Sequence, residues 1–401
     1  MKLLVLTSRF PYPLEKGDKL RIFHQIRELS SHHEIVLCAL AEDEVQDIDY
    51  QEVKPFCTNI HIIPLSKSTV VKNTIFNTLK GISLPFQVSY FYDKNAKKQI
   101  ADIIKTEQPD HIYTQLARMA EYVRDVNIPK TLDYMDAFSL GAERRADSSN
   151  WLTRWFWRIE AHKMAKYEAQ IGGDFNNLTI ISEQDKGALL LNQKNEIQIV
   201  PNGVDLDFFK KEENTIVEPS PQYNVAFIGN LGYYPNVEAA KYLVHRILPL
   251  ILNDFPNIEI LIAGARPTSE VWDLAGAHIT VKGWVDDIRE SYQATQLLVA
   301  PLFHGSGLQN KILEAMAMET PCVTTQLVNS AILATPDSEI SIANNASVFA
   351  QRIEFLLKNL DFRDKMSKNG RLFVEKKYSW KSSTLILNAV LESKTVVNQL
   401  N

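Results

Sequence analysis

The chain alternates short, continuously apolar runs with longer stretches whose apolar residues recur every three or four positions. Runs at 2–7, 34–40, 111–115, 131–134, 178–182, 197–201, 224–229, 258–263, 279–282, 297–301, 322–325 and 339–342 read as strands, most of them buried and parallel, because buried strands lack the alternation of half-exposed ones. Between them, the three-to-four spacing predicts helices over 18–30, 73–80, 95–106, 143–170, 183–191, 236–252, 286–294 and 308–318. Helices at 346–360, 362–376 and 381–397 close the chain. Each half opens strand, glycine-bearing loop, helix, strand. That pattern predicts an α/β protein of two Rossmann-like, doubly wound parallel-sheet domains facing across a cleft. The turn-rich Pro201-Asn202-Gly203-Val204-Asp205 marks the boundary. The expected domains are 1–197 and 198–380, with 381–401 returning to the first.

One stretch, 297–321, stands out. An apolar strand runs into His304-Gly305-Ser306-Gly307 and then into a helix-forming run bearing Lys311 and Glu314. No Asp or Glu occurs from Phe303 to Leu313, although acids usually open a helix to complement its positive end. Small residues that let an anion approach, followed by a lysine one turn in, suit phosphate binding. The anion expected there is the diphosphate of a nucleotide-sugar. The plainer alternative is an ordinary strand-to-helix turn with an exposed Lys311–Glu314 pair.

In the first half, open α/β sheets bind ligands beyond the carboxyl ends of their strands. Arg9, Gly17, Asp18 and Arg21 fall there after the first strand, Gln115 and Arg118 after the fourth run, and Asp133, Asp136 and Ser139 after the next. Asp136 is the candidate general base, against a role as helix N-cap, and Asp133 is the weaker alternative. Trp151-Leu-Thr-Arg154-Trp155-Phe156-Trp157-Arg158 interleaves aromatics with arginines. It reads either as core packing, which is preferred, or as peripheral contact with the inner membrane face or a lipid-linked acceptor.

Composition adds limits. With 401 residues, 45% hydrophobic and 23% charged, the chain is a soluble globular protein too long for one ordinary core. A net charge of -5 argues against a nucleic-acid partner held by bulk electrostatics. Cys38, Cys57 and Cys322 lack metal-ligand spacing and suit a reduced, cytoplasmic protein. The apolar N-terminal run is too short for a signal peptide, and no stretch reaches transmembrane length. Asp286-Asp287 reads as helix capping and His32-His33 as a polar turn, so no metal site is expected.

Taken together, Val200-Pro-Asn-Gly-Val-Asp-Leu-Asp-Phe-Phe209, the helix Lys311-Ile-Leu-Glu-Ala-Met-Ala317 and Tyr378-Ser-Trp380 resemble the GT-B retaining glycosyltransferases of family 4, the glycosyl transferases group 1. The run Gly229-Asn-Leu-Gly-Tyr-Tyr-Pro-Asn-Val237 with Gln309-Asn-Lys311 is similar to a bacterial branch used in exopolysaccharide assembly. The resemblance spans nearly the whole chain. It implies a metal-independent hexosyltransferase without a cofactor, acting on a nucleoside-diphosphate sugar and a glycan or lipid-linked acceptor. By resemblance, Lys311 contacts the donor diphosphate and Glu314 the ribose. Ser306, Gly307 and Leu308 supply amides to phosphate and sugar, and Gly17 closes on the diphosphate from the other domain. Gly283, Trp284 and Val285 hold the nucleobase.

Three positions depart from the family pattern. Ser306 stands where the first glutamate of a pair is usual, 230–236 replaces an Arg-and-Lys pair, and Glu319 replaces a helix-ending glycine. Asn230, in the replaced loop, joins the expected donor set, and Arg9 or Arg266 is left to share the phosphate charge with Lys311. A catalytically silent GT-B binding module and a sugar-nucleotide epimerase are the competing readings.

Overall fold

The computed structural model describes residues 1–65, 84–147, 149–190, 197–211, 222–303 and 308–393. The expected helix at 73–80 and the loop residues His304, Gly305, Ser306 and Gly307 lie outside the described residues. The chain divides into two compact units, Met1–Asn202 with Ser383–Asn401, and Gly203–Ser382.

The first unit is built on a seven-stranded sheet in the order β3-β2-β1-β4-β5-β6-β7. Its strands are β1 (Lys2–Thr7), β2 (Glu34–Ala41), β3 (Asn59–Pro64), β4 (His111–Gln115), β5 (Lys130–Asp133), β6 (Asn177–Ile180) and β7 (Ile197–Ile199). Every pairing is parallel, so the direction of winding reverses between β1 and β4. β3 has no counterpart among the sequence expectations. It is an edge strand, half-exposed along most of its length, and so lacks a continuous apolar run. The C-terminal helix Trp380–Glu392 gives Leu387 and Leu391 to this unit's core, and the Val390 carbonyl accepts from Asn177 Nδ2 at 2.8 Å.

A buried ion pair ties the sheet to its first helix, Gly17–Leu29. Arg21 and Asp133 are both fully buried, with Nε to Oδ2 at 2.8 Å. Asp133 also accepts from the Tyr113 hydroxyl (3.0 Å), the Thr179 hydroxyl (2.9 Å) and the Met135 amide (3.2 Å). Arg21 donates its remaining N–H groups to Asn202 Oδ1 and the Val200 carbonyl, each at 2.9 Å. With its lone pairs filled and no water access, Asp133 is structural. Asp133→Ala strands the Arg21 charge, and chemical denaturation should record a loss of about 3–5 kcal/mol.

The helix expected over 143–170 is two helices, Phe138–Asp147 and Trp151–Gly172. Asn150 separates them by capping the second, accepting from the Thr153 amide at 3.1 Å. The preferred core reading of the aromatic–arginine segment is overturned: Trp151 is 80% exposed and Trp155 69%. The helix buries instead Ala161, Met164, Tyr167 and Ile171, lower on the opposite face.

The second unit holds a six-stranded parallel sheet in the order β10-β9-β8-β11-β12-β13. Its strands are β8 (Tyr223–Ile228), β9 (Ile260–Ala263), β10 (Ile279–Lys282), β11 (Thr295–Ala300), β12 (Cys322–Thr324) and β13 (Ser341–Ile342). The helix expected over 236–252 runs Tyr234–Tyr242, widens to a π turn at Leu243–Ile247 and resumes at Leu248–Ile251. Pro249, which has no N–H to give to the preceding turn, accounts for the widening. The Pro-Asn-Gly boundary is set by packing inside this unit. The Val204 amide donates to the Tyr378 carbonyl at 2.7 Å, and a Cβ at Gly203 would stand 2.5 Å from Trp380 Cα.

Just past the carboxyl ends of β8 and β9, Gly229 and Gly264 lie backbone against backbone. Gly264 has φ +142°, and a Cβ there would fall 1.8 Å from the Gly229 carbonyl oxygen. No side chain fits either the conformation or the space. Gly264→Ala should cost at least about 1–3 kcal/mol from backbone strain alone, read as a lowered thermal midpoint.

Candidate functional site

Winding in the second unit reverses between β8 and β11, and the loops after those two strands hold the candidate donor residues. The helix after β11 runs Asn310–Ala317. Gln309 at its N-cap makes no side-chain cap, and its first turn carries no acid. The positive end of the helix dipole is therefore unneutralised by its own side chains.

Lys311 bends from this helix over the end of β8. Its Nζ donates to Asn236 Oδ1 at 2.5 Å and stands 4.9 Å from the centre of the Phe227 ring. A Cβ at Gly229 would come within 2.9 Å of Nζ, so the glycine leaves room for the ammonium. Stripped of water by its surroundings, Lys311 has its pKa pushed down to about 8, with Glu314 opposing the shift. One turn on, Glu314 Oε2 accepts from the Tyr292 hydroxyl at 2.8 Å. Burial raises the Glu314 pKa, against the effects of Tyr292 and Lys311.

The loop 229–236 has no cation, but it is ordered by its own amides. Asn230 Oδ1 accepts from the Gly232 amide at 3.0 Å, and the Asn230 carbonyl accepts from Asn236 Nδ2 at 2.8 Å. The side chain that reaches Lys311 is thus Asn236, while Asn230 is turned back onto its own loop. Asn236 and Tyr292 were missed in the sequence. Both act through spatial pairings with residues 75 and 22 positions away, and neither carries a local signal. Arg266 sits exposed beside Gly232, with φ 56°. Leu308 packs partly buried against the unit's core.

Gly283, Trp284 and Val285 follow β10, two strands from β8, or about 10 Å along the sheet. The Gly283 carbonyl accepts from the Gly264 amide at 3.3 Å, and the Trp272 ring flanks Gly283, with a Cβ there meeting it at 3.5 Å. Trp284 is 75% exposed. An aromatic, open edge therefore lies along the same end of the sheet as Lys311.

In the first unit, Asp136 lines a cavity of about 320 Å³ with Gln87, Arg144, Arg145, Trp157 and Asp185. Met135, with φ 61°, turns the chain so that Asp136 leaves the sheet while Asp133 stays in the core. Solvent reaches Asp136 from the cavity mouth. The walls still displace enough water, with Asp185 adding like-charge repulsion, to raise its pKa to about 6.

Gly17 opens its helix exposed, and a Cβ there would make only ordinary contact, at 3.5 Å, with Met135 Cε. Arg9 is committed to Asp18 at 2.6 Å, and Arg118 holds the same carboxylate at 2.9 Å. Asp287 caps its helix by accepting from the Arg289 amide at 2.9 Å, and His33 Nε2 lies 2.5 Å from Asn388 Oδ1.

Residues 222–359 match the family model described as Glycosyl transferases group 1. The 44.6 kDa protein of the cps region of Klebsiella pneumoniae is 20% identical over 95% of this chain and 97% of its own length. The capsular polysaccharide biosynthesis glycosyltransferase CapM of Staphylococcus aureus is 23% identical over 86% of this chain and 89% of its own. Among solved structures, Anabaena HepE in complex with UDP superposes with a TM-score of 0.67 at 12% identity, covering 98% of this chain and 100% of that one. The chain therefore has the GT-B fold, two doubly wound parallel-sheet units, and the second carries a segment of the glycosyl transferases group 1 type.

Proposed function

We propose that the protein is a glycosyltransferase that moves a hexose-type sugar from a nucleoside-diphosphate sugar to a glycan or lipid-linked acceptor in polysaccharide or glycoconjugate assembly. The observation that carries this reading is Lys311, a desolvated ammonium at the unneutralised amino end of the Asn310–Ala317 helix. A cation drawn partly out of water, with a neutral asparagine as its hydrogen-bond partner, is well matched to an incoming diphosphate. The names of CapM, a capsular glycosyltransferase, and of HepE, solved with UDP, support a nucleotide-sugar donor and a polysaccharide product.

In this reading the diphosphate docks on the helix end with Lys311 and Arg266. Glu314, oriented by Tyr292, accepts from ribose hydroxyls. The base lies along Gly283–Val285 beside the exposed Trp284. As the sugar–phosphate bond breaks, negative charge grows on the leaving oxygen, and the fixed ammonium and helix dipole stabilise it without rearrangement. A side-chain cation thereby fills the role a metal ion plays elsewhere. Asp136 takes the acceptor hydroxyl's proton, and its pKa of about 6 leaves it mostly ionised at neutral pH. Retention of configuration follows from the family resemblance, and the free thiols suit a cytoplasmic location.

A thermal-shift screen against UDP-, GDP-, ADP- and dTDP-sugars, followed by assay of released nucleotide with glycan and lipid-linked acceptors, tests this reading. One nucleotide class should raise the unfolding midpoint, as any ligand that prefers the folded state does, and should be turned over. Binding without turnover would indicate a silent module, and an isomerised donor an epimerase.

A further inference from the structure

We propose that the exposed face of the Trp151–Gly172 helix docks the first unit onto an anionic phospholipid surface. Positions 151, 155, 158, 162 and 166 follow one ridge of this helix. They place Trp151, Trp155, Arg158, His162 and Lys166 along it, all exposed, with Arg154, Phe156 and Ile159 alongside. Tryptophans left exposed among the described residues, interleaved with arginines, match an interfacial helix: the rings enter the headgroup layer while the guanidinium groups meet lipid phosphates.

Charge selects the partner. Between residues 138 and 172 the exposed cations are Arg144, Arg145, Arg154, Arg158, Lys163 and Lys166, against exposed Glu143 and Asp147. The other acids of the segment are internal. Glu160 accepts from the Phe86 amide at 2.9 Å and the Gln87 amide at 3.1 Å, and Glu168 from the Phe138 amide at 2.7 Å. This local positive excess sits in a chain of net charge -5. A second copy would bring the same positive ridge against itself across a two-fold axis and be repelled. An anionic leaflet attracts it.

Away from the ridge, on another side of the helix, Arg145 stacks over Trp157 at 4.7 Å, and both line the Asp136 cavity. The docking does not depend on the role proposed for Asp136.

The test is sedimentation of the full chain with phosphatidylglycerol and with phosphatidylcholine vesicles. The wild type should sediment with the first far more than with the second, release with salt, and show blue-shifted tryptophan emission. Arg158→Glu/Lys166→Glu should weaken binding by more than about tenfold, and Trp151→Ser/Trp155→Ser should abolish the emission shift. Both variants change exposed side chains, so an unaltered unfolding midpoint and an unaltered donor-induced shift should accompany the loss. Equal binding to both vesicles, no binding, or full binding by the variants would overturn the docking. So would a dimer in velocity sedimentation that the tryptophan variant dissociates. Loss of vesicle binding by the wild type with an intact donor shift leaves the transferase reading standing. Vesicle binding without any donor shift does the reverse.

Discussion

Lys311→Met is expected to weaken binding of the cognate nucleoside diphosphate by about 10- to 100-fold while making the unliganded protein more stable. The first effect is the loss of a charge-assisted hydrogen bond to phosphate, worth about 1.5–3 kcal/mol. The second follows from the lysine's depressed pKa. In the unfolded chain the amine titrates near 10.5, and in the folded protein near 8, so below pH 8 folding must hold a charge that its surroundings disfavour. Removing it should stabilise the free protein at pH 7 by on the order of 1–3 kcal/mol, less what Asn236 forfeits as its partner. In the wild type the same penalty fades as pH rises from 8 towards 10.5. Calorimetric titration and thermal unfolding of the two proteins check both halves. A site that destabilises the resting fold is the expected signature of a group placed for a ligand and not for packing.

Asp136→Asn is expected to leave donor affinity unchanged and to lower kcat by about 10²-fold, the low end for loss of a general base. In the retaining transfer we propose, the leaving phosphate can itself accept the proton, which keeps the loss at that end. The pH profile separates this role from a structural one. With the wild type, kcat/KM should rise through about pH 6 as Asp136 ionises and fall above about pH 8 as Lys311 loses its proton. The asparagine variant should lose the ascending limb and keep the descending one.

Much of the fold is written in local pattern. β1 and β4 match their expected bounds residue for residue, because both are buried parallel strands along nearly their whole length. Reading fails where tertiary context decides. β3 lies at an edge, half-exposed, and the run 236–252 is split by Pro249. The aromatics at 151–157 carry core composition but leave their core-facing neighbours lower on the helix, so their exposure became visible only with the packing of Met164 and Tyr167.

The site shows the same division. Lys311 and the acid-free helix start are legible, since sequence neighbours define them. Asn236, Tyr292 and the walls around Asp136 are not, because each is brought in by a different element. Asp133 and Asp136 differ by three positions and by everything around them. Only the left-handed turn at Met135 separates the carboxylate locked to Arg21 from the one facing a cavity.

The most direct measurement of the central claim, that a diphosphate docks against Lys311 at the amino end of the Asn310–Ala317 helix, is the proton uptake on binding at pH 8, from calorimetry in buffers of different ionisation enthalpy. With the Lys311 pKa at about 8, half of the amines are neutral before the ligand arrives, and the diphosphate should draw in about half a proton per site. Lys311→Met should take up none. Binding by the wild type without proton uptake, or equal uptake by the variant, would place the diphosphate elsewhere.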